Sequence, residues 1–434
     1  MPGSPRQTRP RADNQQKALV ELIVKLKKTN DDTVNLPEEV FVSEFADGAF
    51  GALDPFSTVI WPQDWEEFKK TTQGEFTGVG IQIHVDELGN LKVVSPLEDS
   101  PAYKAGIKPD WIISHIDGKS AKWINVNQAV KRITGPAGTK VTLTMRMTNG
   151  ESKDYSLVRE VIKVASVKGW MHKPGGGWEY FIDPDNKIAY MRLTNFSKTT
   201  AADVKQALND AMAAGARGVI MDLRYNPGGL LNAATDVVNR FITKGLIVST
   251  RPDRPDSPVP SSSISARPVR DEANCPLIVL VNQYSASASE IVSGALKDHH
   301  RAIIVGERTF GKGSVQMLYP LNGGQQSVLK LTTSHYYLPL GKCIHREENS
   351  KEWGVEPDVV VEMTPDQTRA ALGARQEADV LRDPNDPAPK PDDGDNKPKE
   401  KKDLLGADPQ LGAALLLMRL ELANTPANVA VRGN

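Results

Sequence analysis

The segment Val279-Leu-Val-Asn282-Gln-Tyr-Ser285-Ala-Ser287-Ala288-Ser289-Glu290-Ile291, with Ile303-Ile-Val-Gly-Glu307-Arg-Thr-Phe-Gly311-Lys312-Gly313-Ser-Val-Gln316 after it, decides how the rest of the chain is read. The apolar run Leu277 to Val281 predicts a buried strand of an α/β sheet. It stops at Asn282, small residues follow, and Ile291, Val292, Ala295 and Leu296 then have the spacing of a buried helical face. Strand, tight turn and helix make an elbow that exposes a serine hydroxyl. Beside it lie the unpaired N–H groups of a helix start, where a developing anion is favoured. A second apolar run, Ala302 to Val305, leads into a lysine flanked by glycines. Gly311 and Gly313 permit close backbone approach, so Lys312 can enter a site that bulkier flanks would block. Each half alone reads more simply, as a helix N-cap and as a solvated loop. Gly-Lys-Gly also suggests phosphate binding, but the first glycine and the spacing of a P-loop are missing.

Taken together, Ser-Ala-Ser-Ala-Ser-Glu-Ile and Val-Gly-Glu-x-Thr-Phe-Gly-Lys-Gly-x-Val-Gln resemble the tail-specific, or C-terminal processing, serine peptidases. These are Ser–Lys proteases on an α/β, Clp/crotonase-like core, usually with an inserted PDZ domain. The resemblance implies that Ser287 is the nucleophile and Lys312 the base, 312 − 287 = 25 residues later, with Gln316 in support. It implies no cofactor and no metal. Serine attacks only when a neighbouring base removes its proton, and lysine is such a base only when neutral. Free lysine titrates near 10.4, so work at neutral pH needs a depression of roughly three units, about 4 kcal/mol. Burial among apolar groups supplies this, since desolvation disfavours the charged amine. Gln316 would orient the amine without adding the negative charge that raises its pKa again.

Length and composition fit this reading. The chain has 434 residues, enough for two or three domains, and 39% apolar with 25% charged residues describes a folded globular protein. A net charge of −1 argues against nucleic acid or an anionic membrane surface as partner. Cys275 and Cys343, the two cysteines, make neither a disulfide framework nor a zinc site. No apolar run of about 18 residues is present, so no transmembrane helix is expected. The polar start Met-Pro-Gly-Ser-Pro-Arg lacks the apolar core of a signal peptide. Relatives of the family usually work outside the cytoplasm, in the periplasm or cell envelope, so the missing export signal is read as truncation, an unusual N-terminus or a cytoplasmic member.

Residues 1–15 are basic and proline-containing and are expected to be disordered. The next segment, 16–75, is expected to be helical, with Ala18, Leu19, Leu22, Ile23 and Leu26 packed on a partner and a second helix over Pro37 to Leu53. It ends in Leu53-Asp54-Pro55-Phe-Ser57, which resembles the Leu-Asp-Pro-x-Ser element of the family; Asp54 before a proline reads as a turn former. Residues 76–158 read as the PDZ domain. Gly78-Val79-Gly80-Ile81 stands where such domains place a carboxylate-binding loop, a nest of backbone N–H groups beside a strand that adds the peptide as a further strand. Asp110-Trp111 departs from the usual Gly-Asp, so Asp110 is expected at positive φ and Trp111 against the peptidase body. No strand–helix context or later acidic residue supports reading Gly-x-Gly here as nucleotide-binding.

Residues 159–365 form the expected peptidase core. Asp222-Leu-Arg224-Tyr-Asn226-Pro-Gly228-Gly229 resembles the family's Asp-Leu-Arg-x-Asn-x-Gly-Gly signature. By that resemblance the N–H of Gly229 and that of Ala288 form the oxyanion hole, while Asp222 and Arg224 hold the loop as an ion pair. The predicted linker is 366–407, rich in proline, aspartate and lysine, and 408–434 is a C-terminal helix and tail opened by Asp408-Pro409. That helix is expected to dock on its own or a neighbouring subunit, so the terminal helices suggest a homo-oligomer. The leading function is an ATP-independent endopeptidase acting on unfolded or tailed proteins bound by their C-termini. Three alternatives stand beside it: a silent PDZ-containing scaffold, a serine hydrolase using His299, His300 or His335, and a crotonase-like acyl-CoA enzyme.

Overall fold

A computed structural model describes residues 9–173, 176–255, 257–269, 273–321, 327–382 and 404–424. The chain falls into two compact units: Met1–Trp65 with Gln316–Thr333, and Glu66–Val315 with Ser334–Asn434.

In the first unit the opening helix runs Arg9–Asp32, not from Gln16 as expected. Disorder over 1–15 is therefore corrected for 9–15, where Pro10 falls in the first helical turn, the one place a helix tolerates proline; residues 1–8 lie outside the described residues. Leu19, Leu22 and Leu26 remain exposed, so the expected packing of this face is not met among the described residues. Asn30 closes the helix by accepting the Leu36 N–H at 3.0 Å and donating to the Leu36 carbonyl at 3.1 Å. The helix Glu38–Gly51 follows Pro37 as predicted. Asp54 then builds the expected turn by accepting the N–H groups of Phe56 at 2.8 Å and Ser57 at 3.0 Å. The strand Thr58–Ile60 pairs antiparallel with 328–330.

The core of the second unit is a sheet in the order Val167–Lys168, Ile188–Leu193, Gly218–Asp222, Leu277–Val281, Ile303–Gly306, Val359–Val360. The last five strands are parallel, and Phe181–Asp183 adds antiparallel to Ile188–Leu193. Their apolar residues alternate between two buried faces, which is why they read as continuous hydrophobic runs. Met191, Met221 and Val279 face the helices Thr200–Ala213, Leu231–Val238 and Ala288–Asp298. Tyr190, Ile220 and Leu280 face Leu411, Leu415 and Met418 of the C-terminal helix Pro409–Asn424. That helix thus docks on its own chain. Asp408 caps it, accepting the Leu411 N–H at 3.0 Å.

Residues Ile81–Val85, Leu91–Pro96, Ile112–Ile116, Lys140–Arg146 and Ser152–Val158 form an antiparallel sheet with its own core of Leu91, Ile113, Leu143 and Met145. The strand Glu75–Gly78 pairs with Glu160–Lys163, which lies beyond the predicted C-terminal boundary at 158. Asp110 has the expected positive φ, 67°. Trp111 corrects its expectation: it is buried in this domain's own core, beside Tyr155 at 5.9 Å between centroids, not against the peptidase body. The predicted linker is also corrected. Pro365–Ala378 is a helix, started by Thr364, whose hydroxyl accepts the Gln367 N–H and whose own N–H donates to the Gln367 side chain. It buries Ala371, Ala374 and Arg375; residues 383–403 lie outside the described residues.

Candidate active site

Ser287 sits between the strand Leu277–Val281 and the helix Ala288–Asp298 with φ 56° and ψ −114°, a conformation few side-chain-bearing residues adopt. The turn is held from below. Asn282 donates its N–H to Ser285 Oγ at 3.0 Å, and that hydroxyl donates to the Leu223 carbonyl at 2.8 Å. The Asn226 carbonyl accepts the Ala286 N–H at 3.0 Å and the Ser289 hydroxyl at 2.9 Å.

Glu290 ties this elbow to the lysine loop. Its fully buried carboxylate accepts the N–H of Ser287 at 2.7 Å and of Lys312 at 2.8 Å through Oε2. Oε1 accepts the Gly311 N–H at 2.7 Å and the Thr309 hydroxyl at 2.6 Å. Burial pushes the Glu290 carboxyl above its usual range, and these four hydrogen bonds work against that push. Sequence reasoning quoted Glu290 within the motif but gave it no part. The glycines beside Lys312 behave as expected: a Cβ on Gly313 would stand 2.5 Å from the His345 nitrogen, and one on Gly311 2.7 Å from the Trp353 ring. Lys312 itself is half-buried.

Tyr336 joins the same cluster. Its N–H donates to the Gly313 carbonyl at 2.7 Å, and its phenol is buried. Burial raises the phenol pKa; the polar Ser287 side chain opposes that, and the Glu290 carboxylate adds to it.

The turn Gly228-Gly229 lies against the elbow. A Cβ built on Gly228 would be 2.8 Å from Ser287 Cβ and 3.0 Å from the Ala288 nitrogen. Gly229 has φ 143°, and its Cβ would meet the Phe196 carbonyl oxygen at 2.1 Å, so no other residue fits this backbone. Ala288 is the first residue of its helix, so its N–H has no intrahelical acceptor. Asp222 and Arg224 form the expected ion pair at 2.7 Å, and Arg224 also pairs with Asp408 at 2.8 Å, joining this loop to the C-terminal helix. Burial would raise the Asp222 carboxyl, but Arg224 beside it holds it below the usual carboxylate range.

Gln316 belongs to the other unit, where its side chain donates to Thr332 Oγ1 at 3.1 Å. Thr332 Oγ1 donates in turn to Asp54 at 3.0 Å. Burial would raise the Asp54 carboxyl; hydrogen bonds from Ser57, Phe56 and Thr332 outweigh it. Of the predicted peptide loop, Gly78 ends a strand opposite Glu160 and Ile81 begins the next, leaving Val79-Gly80 as the connection, with Gly80 at φ 72°. His299 is bonded to the Leu246 carbonyl at 2.7 Å and His335 to Asp253 at 2.7 Å.

The profile of Peptidase family S41 matches residues 187–361, and that of the PDZ domain matches 67–146. A carboxy-terminal-processing protease of Bartonella bacilliformis is 40% identical over 335 residues, which cover 76% of this chain and 71% of that protein. A carboxyl-terminal-processing protease of Synechocystis is 35% identical over 311 residues, 71% of this chain and 68% of that protein. Among solved structures, a photosystem II D1 C-terminal processing protease is 28% identical with a TM-score of 0.42, covering 78% of this chain and 86% of that one. The sequence expectation of an α/β, Clp/crotonase-like core with a PDZ domain is met. On these matches the chain belongs to the carboxy-terminal-processing protease family, and it is a PDZ-containing serine endopeptidase.

Proposed function

We propose that this protein is an ATP-independent endopeptidase in which Ser287 and Lys312 form the catalytic dyad and the PDZ domain selects substrates by their C-terminal tails. The Ser287 hydroxyl attacks the scissile carbonyl and gives its proton to the neutral Lys312 amine. The oxyanion of the tetrahedral adduct is taken by the N–H groups of Gly229 and Ala288. Lys312 then protonates the leaving amine, and the ester on Ser287 is cleared by water that Lys312 deprotonates. The observation that carries the reading is the Glu290 carboxylate, which fixes the backbone of Ser287 and of Lys312 through one oxygen. With its oxygens committed to N–H and O–H donors, that carboxylate organises the site as an acceptor.

In the PDZ domain the strand Ile81–Val85 is the end strand of its sheet, with Leu91–Pro96 on one side. Its other edge is suited to receive a peptide strand, with the N–H groups around Gly78 to Ile81 as the carboxylate nest and the helix Val126–Ile133 as a wall. Val126 and Val130 on that helix are exposed, as an unfilled groove requires. Family resemblance favours work outside the cytoplasm; no described helix is long and apolar enough to cross a membrane. The exposed row Leu19, Leu22 and Leu26 favours a homo-oligomer through the N-terminal helix, whereas the C-terminal helix buries Leu411, Leu415 and Met418 against its own chain. Sedimentation of wild type against Leu22→Glu tests this: equal masses would reject it.

The decisive assay for the function is cleavage of an unfolded protein with a free C-terminal tail, without nucleotide, by wild type and Ser287→Ala. Cleavage by the wild type alone supports the proposal. Equal cleavage by both, or by neither, contradicts it.

A further inference from the structure

An exposed aromatic ring stands just upstream of each proposed catalytic position: Tyr225 before Gly229, Tyr284 before Ser287 and Phe310 before Lys312. Two of them pair. Tyr225 and Tyr284 stack with ring centroids 5.4 Å apart and planes 20° from parallel. Yet they remain 38% and 54% exposed, so the pair leaves much of its apolar area in water. A single buried side chain fixes both: Asn282 Oδ1 accepts the N–H of Tyr225 and of Tyr284, each at 3.1 Å. The Phe310 N–H donates to the Ser285 carbonyl at 3.0 Å, which anchors the third ring's backbone to the same turn.

Tyr225 also carries backbone strain. Its φ is 59°, a region that glycine or asparagine occupies cheaply and a bulky side chain does not. Strain kept at an exposed residue beside a reactive turn points to a use for that side chain. An exposed aromatic pair offers large contact area at a low cost in side-chain entropy. The rings are carried by the turns that bear Gly229 and Ser287, so they lie on the same turns a substrate carbonyl at the elbow would meet. An extended chain advances about 3.4 Å per residue, so two or three residues to either side fall within about 10 Å.

We infer that Tyr225 and Tyr284 form an aromatic subsite that takes a large apolar side chain of the substrate at a position flanking the cut bond. This rests on the peptidase reading and sets its selectivity. The occupant is the substrate chain itself, because the rings are carried by the same two turns that hold Gly229 and Ser287.

The test uses the full-length protein and a set of otherwise identical peptides carrying Ala, Leu or Phe at each position flanking the cleavage site. In wild type, one position is expected to favour Phe or Leu over Ala by about tenfold in kcat/KM, the scale of burying one large side chain. In Tyr284→Ala that ratio falls towards one. In Tyr225→Asn, where asparagine accepts the positive φ, the ratio falls while the melting temperature is kept or raised. A pair that merely stabilises the turn gives the opposite result, a lower melting temperature with the Phe-to-Ala ratio intact, and that overturns the subsite. Labelling of wild type by a small fluorophosphonate separates the two levels. Labelling and cleavage without side-chain preference reject the subsite alone. Neither labelling nor cleavage rejects the peptidase reading, and the subsite with it.

Discussion

At the Ser287 elbow one buried carboxylate collects four donors, and even a methyl group on Gly229 has no room. At the PDZ groove the end strand Ile81–Val85 has an open edge, and Val126 and Val130 of the neighbouring helix face solvent. The first is packed on every side; the second, on the proposed function, is left for the substrate's own backbone to complete. The difference follows from what each must do. Stabilising a developing charge requires donors already in place, because reorienting them during reaction would cost the energy they are meant to supply. Holding a tail of variable sequence requires backbone bonds and accommodating apolar contacts, which an open edge provides.

The contrast is broken most severely at Glu290. Glu290→Ala leaves the N–H groups of Ser287, Gly311 and Lys312 and the Thr309 hydroxyl without their acceptor. Loss of about 3 kcal/mol or more of stability is expected, since each buried donor left unsatisfied costs about 1 to 3 kcal/mol, together with loss of turnover. Denaturant unfolding measures it; a variant as stable as wild type would show that this carboxylate does not organise the site. Gly229→Val comes next. The valine Cβ cannot stand 2.1 Å from the Phe196 oxygen, so the turn must move and carry its N–H away. Turnover is expected to fall by about a hundredfold or more, near 3 kcal/mol, with substrate binding nearly kept. Unchanged turnover in a folded variant would remove Gly229 from the mechanism.

The groove should give a smaller effect of another kind. Amidating a substrate's C-terminus removes the charge that the Gly78 to Ile81 nest is proposed to receive. KM is then expected to rise about tenfold, ~1.5 kcal/mol for a hydrogen bond to a charged group, with kcat little changed. Equal kcat/KM for amidated and free-acid substrates would take substrate choice away from this loop.

Much of the elbow was legible because its signals are local. Five apolar residues, small residues at a turn and helical spacing from Ile291 to Leu296 lie within one short stretch, and they give the strand, turn and helix found there. The glycines around Lys312 were legible for the same reason. Glu290 was not: in sequence it is an ordinary acidic residue in a first helical turn, and its partners at Thr309, Gly311 and Lys312 arrive from a separate loop. Gln316 was assigned by resemblance, while its bonded partner Thr332 and the next link, Asp54, come from distant parts of the chain. The helix Pro365–Ala378 is a different kind of miss. Thr364-Pro365-Asp366-Gln367 carries a capping signal with proline at the first position, but the acidic, proline-rich composition downstream obscured it. Trp111 went to its own domain's core because positive φ at Asp110 turns the chain inward there, beside Tyr155.

The central claim is that a neutral Lys312 activates Ser287, and Lys312→Arg tests it most directly. A guanidinium keeps its proton in proteins, so a base at this position cannot survive the change, whereas an exposed lysine would tolerate it. Purified, folded Lys312→Arg is expected to be as inactive as Lys312→Ala on a tailed unfolded substrate, and wild-type turnover is expected to rise with pH as the amine loses its proton. Substantial cleavage by folded Lys312→Arg would contradict the Ser–Lys assignment.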